Sequence, residues 1–203
     1  MTYLRKKEQA IIPITSGEVT PGEYTYLNYL RSTGTQYIDT GVKAKSSLRI
    51  VIDAFYGNNT VSRLLGSRAG AENVALLISA TGDGEFYFRY NRETARPYTP
   101  ISTNTRYTFD FDNNKIYLNG SLNYTFTETT FNNNVNMLLM SADYNGTIYG
   151  FYGDMFSCQM YDNGVIIRNF APAIKNSTHE VGVHDKVNDV FYGNAGTGDF
   201  LYG

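Results

Sequence analysis

The chain has 203 residues, of which 42% are hydrophobic, and this size fits one domain with a sizeable core. Its formal net charge of −2, from 17 basic and 19 acidic residues, excludes a strong electrostatic attraction to nucleic acid. The 18 tyrosines and 12 phenylalanines, without any tryptophan, favour a β-rich fold because both residue types prefer strands.

The cysteine content and the apolar stretches indicate a cellular compartment. Cys158 is the only cysteine, so no intrachain disulfide can form, and folding in a reducing cytosol is expected. The apolar patch of Ala10–Ile12 and Ile14 is interrupted by Pro13 and is too short for a secretory signal. No stretch approaches the roughly 18 apolar residues of a membrane span, so we expect no membrane contact.

Residues 1–23 differ from the rest of the chain, because they show neither the period of a strand nor that of a helix. One interpretation is a disordered leader, which is common at chain termini. The other is an arm that becomes ordered against a partner protein, since disordered segments with a small apolar cluster can fold on binding. The contact residues of such an arm would be Arg5, Lys6, Lys7, Ile11, Ile12 and Ile14.

From Tyr24 onward, short strand-like segments recur and are separated by Gly, Asn and Asp turns. The predicted strands are Tyr26–Arg31, Gln36–Thr40, Leu48–Tyr56, Arg63–Ser67, Val74–Ser79, Glu85–Tyr90, Arg106–Asp112, Lys115–Leu118, Leu122–Phe126, Val135–Ala142, Ile148–Tyr161, Val165–Phe170, Val181–His184 and Val190–Tyr192. Strand Leu48–Tyr56 is apolar at nearly every position and is expected at the centre of a sheet. No amphipathic helix exceeds one turn, so the pattern predicts an antiparallel sandwich or barrel.

Two local patterns make this prediction more specific. Asn119-Gly120 separates two strands, and both residue types tolerate the positive φ angles of a type I′ hairpin turn. Near the end of the sequence, Gly193, Gly196 and Gly198 lie between aromatic residues on both sides. Glycine permits close backbone approach, so we expect this glycine-rich segment to dock on the domain.

Four separated motifs point to a family. They are YLNYLRSTGTQYIDTGV (26–42), YTFDFDNNKIYLNG (107–120), GFYGDMFSCQMYDNGVIIRNFAPA (150–173) and VGVHDKVNDVFYGNAGTGDF (181–200). In this order they resemble the LamG-like jelly-roll domains of the concanavalin A-like lectin/glucanase superfamily, which occur in gut bacteria and their phages.

The resemblance covers residues 24–203 and implies an all-β fold. This is a two-sheet antiparallel jelly-roll sandwich (concanavalin A-like), with an extended N-terminal arm at residues 1–23 and with the terminal segments of the domain side by side. The superfamily includes lectins, glycanases and inert structural modules, so the fold alone does not fix the function.

Catalytic and metal sites are not predicted. Glucanases of this superfamily place E-x-D-x-x-E on one strand, which supplies the carboxylate pair that glycoside hydrolysis needs. The nearest candidate here, Asp53, is flanked by apolar residues and is expected on a sheet face or edge.

His179 and His184 are five positions apart, which is a poor spacing for zinc on a strand, and we expect them in a surface turn. Cys158 is expected in the core.

The sequence allows calcium as a cofactor, because loop carboxylates and amides supply the oxygen ligands that this ion prefers. The candidate positions are Asp112-Asn113-Asn114, Asn132–Asn134, Asp143 with Asn145, and Asp162-Asn163. The same residue types are common turn formers, which accounts for most of them without a cation.

Two stretches combine aromatic rings with amide, carboxylate and guanidinium groups, the mixture that a sugar site needs. They supply the candidate ligand-binding residues Tyr90, Asn91, Arg92, Tyr98, Asp143, Tyr144, Asn145 and Tyr149. The alternative is that these tyrosines pack at sheet edges. A set of arginines is equally typical of a protein–protein contact, namely Arg63, Arg68, Arg89 and Arg92.

We expect a non-enzymatic structural protein of a phage virion, such as a capsid decoration, head-fibre or tail-associated module. It would be made in the host cytoplasm without a leader, attach to other virion proteins through residues 1–23, form a homo-oligomer or array, and display its lectin-like domain to host-surface glycans. The alternative is a carbohydrate-binding lectin module of a gut bacterial surface or secreted protein. A degenerate glycanase is the third interpretation.

Overall fold

A computed structural model of the protein describes residues 22–57, 61–69, 74–82, 84–95, 100–102 and 104–203. Within these ranges the chain forms strands and no helix, and hence no helix that could cross a membrane. The strands are β1 (Tyr24–Tyr26), β2 (Leu30–Thr33), β3 (Ile38–Lys45), β4 (Leu48–Tyr56), β5 (Ser62–Ala69), β6 (Val74–Ala80), β7 (Phe86–Asn91), β8 (Glu93–Ala95), β9 (Thr105–Asp112), β10 (Lys115–Leu118), β11 (Ser121–Thr125), β12 (Asn132–Leu139), β13 (Ser141–Tyr144), β14 (Thr147–Gly150), β15 (Tyr152–Asp162), β16 (Val165–Lys175), β17 (Glu180–Asp185), β18 (Val190–Gly193) and β19 (Leu201–Tyr202). The predicted arm residues Arg5, Lys6, Lys7, Ile11, Ile12 and Ile14 lie outside the described residues.

The strands form two sheets. Sheet A has the order β11-β10-β9-β4-β15-β16-β17-β18, with β1 beside β16 and with β2 between β15 and β19. Sheet B has the order β14-β13-β5-β6-β7-β8, and β12 joins β5 to β3. The pair β13–β5 is parallel, whereas the other described pairs of both sheets are antiparallel. The predicted class, an all-β two-sheet sandwich with a lectin-like jelly-roll fold, is confirmed.

The core between the sheets is built from alternating aromatic residues. In β9 the inward positions are buried and apolar. The ring of Phe109 lies 5.0 Å from that of Phe86 on sheet B, at an interplanar angle of 84°. Tyr56, at the end of the central strand β4, contacts Phe86 edge to face at 5.5 Å. Burial of each such ring contributes about 1.5–3 kcal/mol, so these contacts hold the sheets together.

The glycine-rich segment docks on the domain as predicted. Strand β19 pairs with β2, and the backbone N–H of Thr197 donates to the carbonyl of Thr35 at 3.1 Å. In return the Thr35 hydroxyl donates to the Thr197 carbonyl at 2.8 Å. A Cβ on Gly196 would collide with the Thr35 carbonyl oxygen, so glycine is required at this close approach.

Several predicted strands are divided in the structure. Predicted strand Val135–Ala142 is interrupted at Met140, whose positive φ of 63° turns the chain between β12 and β13. Predicted strand Tyr26–Arg31 becomes β1 and β2, because the N–H of Leu27 bonds to Pro172 while the next two N–H groups bond to the Gly203 carbonyl. Strands β8 and β19 were not predicted.

The expectation of a surface turn at both histidines is wrong for one of them. His179 is exposed in a turn with a φ of 59°, but His184 is only 6% exposed and lies in β17. The His184 ring stacks on Tyr24 at 4.0 Å, and its nitrogens lie 2.8 Å from the Tyr26 hydroxyl and from Asp189. His184 therefore connects β17 to β1 within sheet A.

Candidate functional site

The outward side chains of sheet B form the candidate site. In β7 the buried positions Phe86, Phe88 and Tyr90 point into the core, so the alternate residues Tyr87 and Arg89 point away from it. The strand register continues this outward row, because Tyr87 pairs with Ser79 on β6 and Ser79 pairs with Arg63 on β5. We call this surface the outer face of sheet B.

Arg63 lies at the centre of three tyrosine rings on this face. Its guanidinium carbon is 5.6 Å from the ring centroid of Tyr144, 5.9 Å from that of Tyr149 and 6.0 Å from that of Tyr87. These distances lie within the range of cation–π attraction. Since the three rings come from β13, β14 and β7, the sheet brings together residues that are distant in sequence. We name these four residues the Arg63 cluster.

Further arginines surround the cluster. Arg68 lies 5.5 Å from the Tyr144 ring, and Arg89 donates weakly to the Tyr87 hydroxyl at 3.5 Å. Arg89 also reaches the Arg92 carbonyl at 3.4 Å, and Arg63 donates to the Ala80 carbonyl at 3.0 Å. The guanidinium groups are thus held by contacts with rings and backbone carbonyls.

The two sheets differ in how their outward arginines are neutralised. On sheet A these arginines form ion pairs, Arg31 with Asp154, Arg49 with Asp110 and Arg106 with Asp53. Among the residues that the structure describes, no carboxylate forms an ion pair with Arg63 or Arg89. Arg63 and Arg89 therefore keep a positive charge beside the tyrosines that no carboxylate of the described residues balances.

The pKa values of two tyrosines reflect this charge. Burial raises the pKa of Tyr144, although the positive charge of Arg63 acts against it. Burial also acts to raise the pKa of Tyr87, but hydrogen bonds to Thr94 and Arg89 and the charges of Arg89 and Arg68 outweigh it, so its pKa is lowered. The ionised form of Tyr87 is thus favoured by its hydrogen bonds and by the arginine charges, whereas the neutral form of Tyr144 is favoured by burial.

Several buried polar atoms on this face lack a hydrogen-bond partner in the described part of the chain. They include Nε of Arg63 and Nε of Arg89, while the buried hydroxyls of Ser79 and Tyr144 lie close to each other, and Ser79 acts to lower the pKa of Tyr144. Buried polar groups are normally hydrogen-bonded, and each unsatisfied group costs about 1–3 kcal/mol. Their concentration beside Arg63 and Arg89 shows that the polar groups of this face are incompletely paired.

The structure places one of the two predicted glycan-binding stretches at this face. Tyr144 and Tyr149 belong to the Arg63 cluster. Asp143 accepts from the N–H of Gly146 at 2.6 Å, and the N–H of Asn145, at a φ of 53°, donates to the Arg68 carbonyl. Asp143 and Asn145 therefore shape the turn that positions the two tyrosines.

The other predicted stretch contributes less. Tyr90 is 2% exposed and its hydroxyl donates to the Thr129 carbonyl, so its ring belongs to the core and we do not include it in the site. Asn91 donates to the Thr129 hydroxyl from a turn with a φ of 53°. Arg92 is exposed beside Arg89, and Tyr98 lies outside the described residues.

Sequence reasoning missed Tyr87 and Ser79, and it assigned Arg63 and Arg89 only to a protein contact. The signal for Tyr87 and Arg89 was present, because both alternate with the phenylalanines of the segment EFYFRY and therefore lie on the opposite face of the strand. The signal for Ser79 was absent, because β6 is buried on both faces.

Asp53 and the predicted calcium positions do not form an acidic centre in the described residues. The carboxylate of Asp53 accepts from Arg106, and its cross-strand neighbours are Thr108 and Ser157, as expected for a residue on a sheet face. The carboxylate of Asp162 binds Lys45 and Ser47, while no cluster of three or more metal-ligating side chains occurs there. Calcium binding stays a prediction.

A groove of about 550 Å³ lies elsewhere, between Gly41–Lys45, Asn132–Asn134 and Arg168. No aromatic side chain lines it, and the Arg168 guanidinium donates hydrogen bonds to the carbonyls of Thr40 and Ile167. The groove thus lacks both the aromatic surface and the unsatisfied donors of the Arg63 cluster.

Neither a protein-family model nor a curated protein matches this sequence. Among solved structures, the chain is similar to a candidate carbohydrate-binding protein from Bacteroides ovatus, with a TM-score of 0.59, 13% identity and 88% of this chain covered. This chain spans 60% of that protein's length. A weaker similarity is to the CBM40 of a Ruminococcus gnavus sialidase bound to α2,3 sialyllactose, with a TM-score of 0.49 and 18% identity over 68% of this chain and 90% of that chain. Another is to a Caenorhabditis elegans galectin, with a TM-score of 0.38 and 16% identity over 68% of this chain and 97% of that chain.

At these identities, the similarities support the fold alone. The chain is a lectin-like β-sandwich whose sheet B carries an outward cluster of arginine and tyrosine. The narrower assignment to LamG-like domains stays a prediction.

Proposed function

We propose that this protein is a non-enzymatic carbohydrate-binding module and that its glycan binds on the outer face of sheet B. The observation that carries the proposal is the Arg63 cluster, in which tyrosine rings surround unsatisfied buried donors. The apolar face of a sugar ring packs on an aromatic ring, while its hydroxyl groups bind guanidinium, hydroxyl and phenol groups. The similarity to a candidate carbohydrate-binding protein supports this proposal.

Tyr149 is the ring best placed to contact a ligand, because it is 41% exposed within the cluster. The test is a glycan array with the full chain, followed by calorimetry of the strongest glycan with Tyr149→Ala. We expect the substitution to weaken binding about tenfold or more, as for an aromatic residue at the centre of an interface.

The matched control for Tyr149→Ala is Tyr117→Ala. Tyr117 alternates with the core residues Ile116 and Leu118 and therefore faces outward from sheet A. This control should bind like the unchanged protein. An array without any bound glycan, or equal losses in both variants, would contradict the proposed function.

The proposal that the protein is non-enzymatic is tested by a separate measurement. Asp53 is paired with Arg106 and has no second carboxylate opposite it, so the carboxylate arrangement of glycosidases is not formed there. Incubation of the protein with the glycans that it binds should release no reducing sugar. Release of sugar at a rate proportional to protein concentration would overturn this part of the proposal.

A virion role is a narrower proposal that rests on the sequence resemblance. In it, residues 1–23 attach the protein to a capsid or tail protein, a homo-oligomer or array forms, and the domain from Tyr24 onward is displayed. The pairing of β1 with β16 supports a domain that begins at Tyr24. Mass spectrometry of purified phage particles from the source culture tests this role, and a bacterial surface or secreted lectin is the alternative if the particles lack the protein.

A further inference from the structure

On the outer face of sheet B, Arg63 and Arg89 have no matching carboxylate in the part of the chain that the structure describes, and this suggests a ligand class. Resting on the proposed function, we infer that the ligand is a glycan with an acidic sugar, whose carboxylate or sulfate binds the guanidinium groups of Arg63 and Arg89. Arginine presents several N–H donors in a planar fork that matches an anion with two or more oxygens.

The first argument is charge balance. Neither Arg63 nor Arg89 has an ion-pair partner among the residues that the structure describes. Glu85 immediately precedes β7 at a position that shares the outward alternation of Tyr87, yet it forms no ion pair with either arginine. A neutral sugar would leave this charge uncompensated, whereas an acidic sugar would neutralise it.

The second argument is the set of unsatisfied donors. The Nε atoms of both arginines are buried and lack a partner, and the two arginines lie near each other on one face, since Arg63 pairs with Ser79 and Arg89 pairs with Leu77, two positions along the same strand. Two unpaired guanidinium Nε atoms on one face of a sheet resemble an anion site more than a surface that is simply solvated. Hydrogen bonds to a charged acceptor are about twice as strong as those between neutral groups.

The third argument is geometry. Adjacent strands are about 4.8 Å apart, so Arg63 and Tyr87, with one strand between them, are about 10 Å apart along the sheet. The side chains fill this distance, because the Arg63 guanidinium lies 6.0 Å from the Tyr87 ring, so a sugar ring would lie over them, against the 41% exposed Tyr149, with its acidic group beside the arginines. Sheet A offers no equivalent arrangement, because its outward arginines are bound to aspartates.

Pairs of probes that differ only in charge test this inference. The pairs are methyl glucuronide with methyl glucoside, sialyllactose with lactose, and galactose 6-sulfate with galactose, each measured by calorimetry or NMR titration. We expect at least one acidic member to bind about tenfold or more tightly than its neutral partner. Its affinity should fall as NaCl rises to about 0.5 M, because salt screens exposed charges. The carboxylate and sulfate pairs show which anion is preferred.

Substitutions then assign the charge preference to the site. Arg63→Gln and Arg89→Gln should each reduce the preference for the acidic probe about tenfold while they keep weak binding of the neutral member. Arg49→Gln, which removes an exposed arginine from sheet A, is the matched control and should leave the preference unchanged. Thermal unfolding of each variant checks that the domain is folded.

Failure of this inference is distinguishable from failure of the proposed function. Neutral glycans that bind as tightly as the acidic ones, with Tyr149→Ala still weakening them, would overturn the acidic-sugar assignment and keep the glycan site. An acidic preference that survives both arginine substitutions would also overturn it. Absence of binding to any glycan would overturn both proposals.

Discussion

The side-chain oxygen of Asn194 accepts a hydrogen bond of 3.1 Å from the backbone N–H of Tyr37, which is 157 residues earlier in the chain. The same oxygen accepts from the N–H of Gly196 at 2.9 Å, and the Asn194 amide nitrogen donates to the Gly198 carbonyl at 2.6 Å. One side chain therefore both shapes the glycine-rich segment and fixes it to the chain that leads into β3.

The first prediction concerns this connection. Asn194→Ala removes three hydrogen bonds and leaves the N–H of Tyr37 without its acceptor, so the free energy of unfolding should fall by about 2 kcal/mol. Urea unfolding followed by tyrosine fluorescence measures the change. Asn136→Ala is the control, because the Asn136 amide makes one exposed contact with Asp39 at 3.3 Å, and about 0.5 kcal/mol or less is expected. Equal losses in the two variants would show that Asn194 does not hold the segment.

Substitution by alanine should lower the free energy of unfolding by different amounts at two glycines, Gly120 and Gly150. Gly120 has a φ of 78° in the predicted type I′ turn and open space around it, so Gly120→Ala should cost about 1 kcal/mol through the backbone alone. At Gly150 a Cβ would overlap the Gly34 carbonyl, so Gly150→Ala should cost about 3 kcal/mol or more, since the backbone must move. Chemical denaturation of both variants compares them, and a smaller loss at Gly150 would contradict the close approach.

Much of the fold could be predicted because alternation and turn residues are local signals. The turn at Asn119-Gly120 has both φ angles positive, at 50° and 78°, as the residue types indicated. The central place of Leu48–Tyr56 followed from its apolar character, and it lies between β9 and β15. The break at Met140 could not be predicted, because the N–H of Met140 bonds to Leu64 in a distant strand and this contact has no local signature.

The site was predictable only in part, for a related reason. Tyr144 and Tyr149 lie close in sequence, and a turn between them is visible from Asn145 and Gly146. Their contact with Arg63 depends on the parallel pairing of β13 with β5, which sequence alone does not reveal. Tyr90 illustrates the opposite error, because its position in the alternation of β7 directs it inward although its neighbours face solvent.

The ion pairs of sheet A give a third prediction. The Asp154 side chain is only 7% exposed and accepts two hydrogen bonds from Arg31, at 2.5 and 2.8 Å. Arg31→Met would leave this carboxylate buried without a cation, and a loss of about 2–3 kcal/mol in unfolding free energy is expected. Arg49→Met breaks the more exposed pair with Asp110 and should cost about 1 kcal/mol or less. A double-mutant cycle with Asp154→Leu should recover part of the first loss, and no recovery would argue against an unpaired carboxylate as its cause.

The single thiol gives a fourth prediction. Cys158 is fully buried in β15, and burial raises the pKa of its thiol far above the ordinary value. Since only the thiolate reacts, Ellman's reagent should not modify the native protein at neutral pH, whereas it should react fully in concentrated guanidinium chloride. The rate of modification at intermediate denaturant should follow the unfolded fraction. Rapid native labelling would contradict the buried position of Cys158.

A fifth prediction separates function from stability at the Arg63 cluster. The hydroxyl groups of Tyr144 and Tyr56 are both buried without a partner, but Tyr144 belongs to the outer face of sheet B and Tyr56 to the core. Removal of an unsatisfied hydroxyl should leave the stability unchanged or raise it by about 1 kcal/mol, so both Tyr144→Phe and Tyr56→Phe should unfold at equal or higher urea concentration. Only Tyr144→Phe should weaken glycan binding, because Tyr144 lies beside Arg63 on the outer face of sheet B, whereas Tyr56 lies in the core.

The comparison of these two tyrosine variants uses urea unfolding together with calorimetry of one glycan. Weaker binding with Tyr56→Phe as well would indicate that the loss arises from a general change in packing. Unchanged binding with Tyr144→Phe would show that its hydroxyl takes no part in recognition. A gain in stability together with a loss of affinity at Tyr144 alone is the pattern expected of a group kept for binding at a cost to folding.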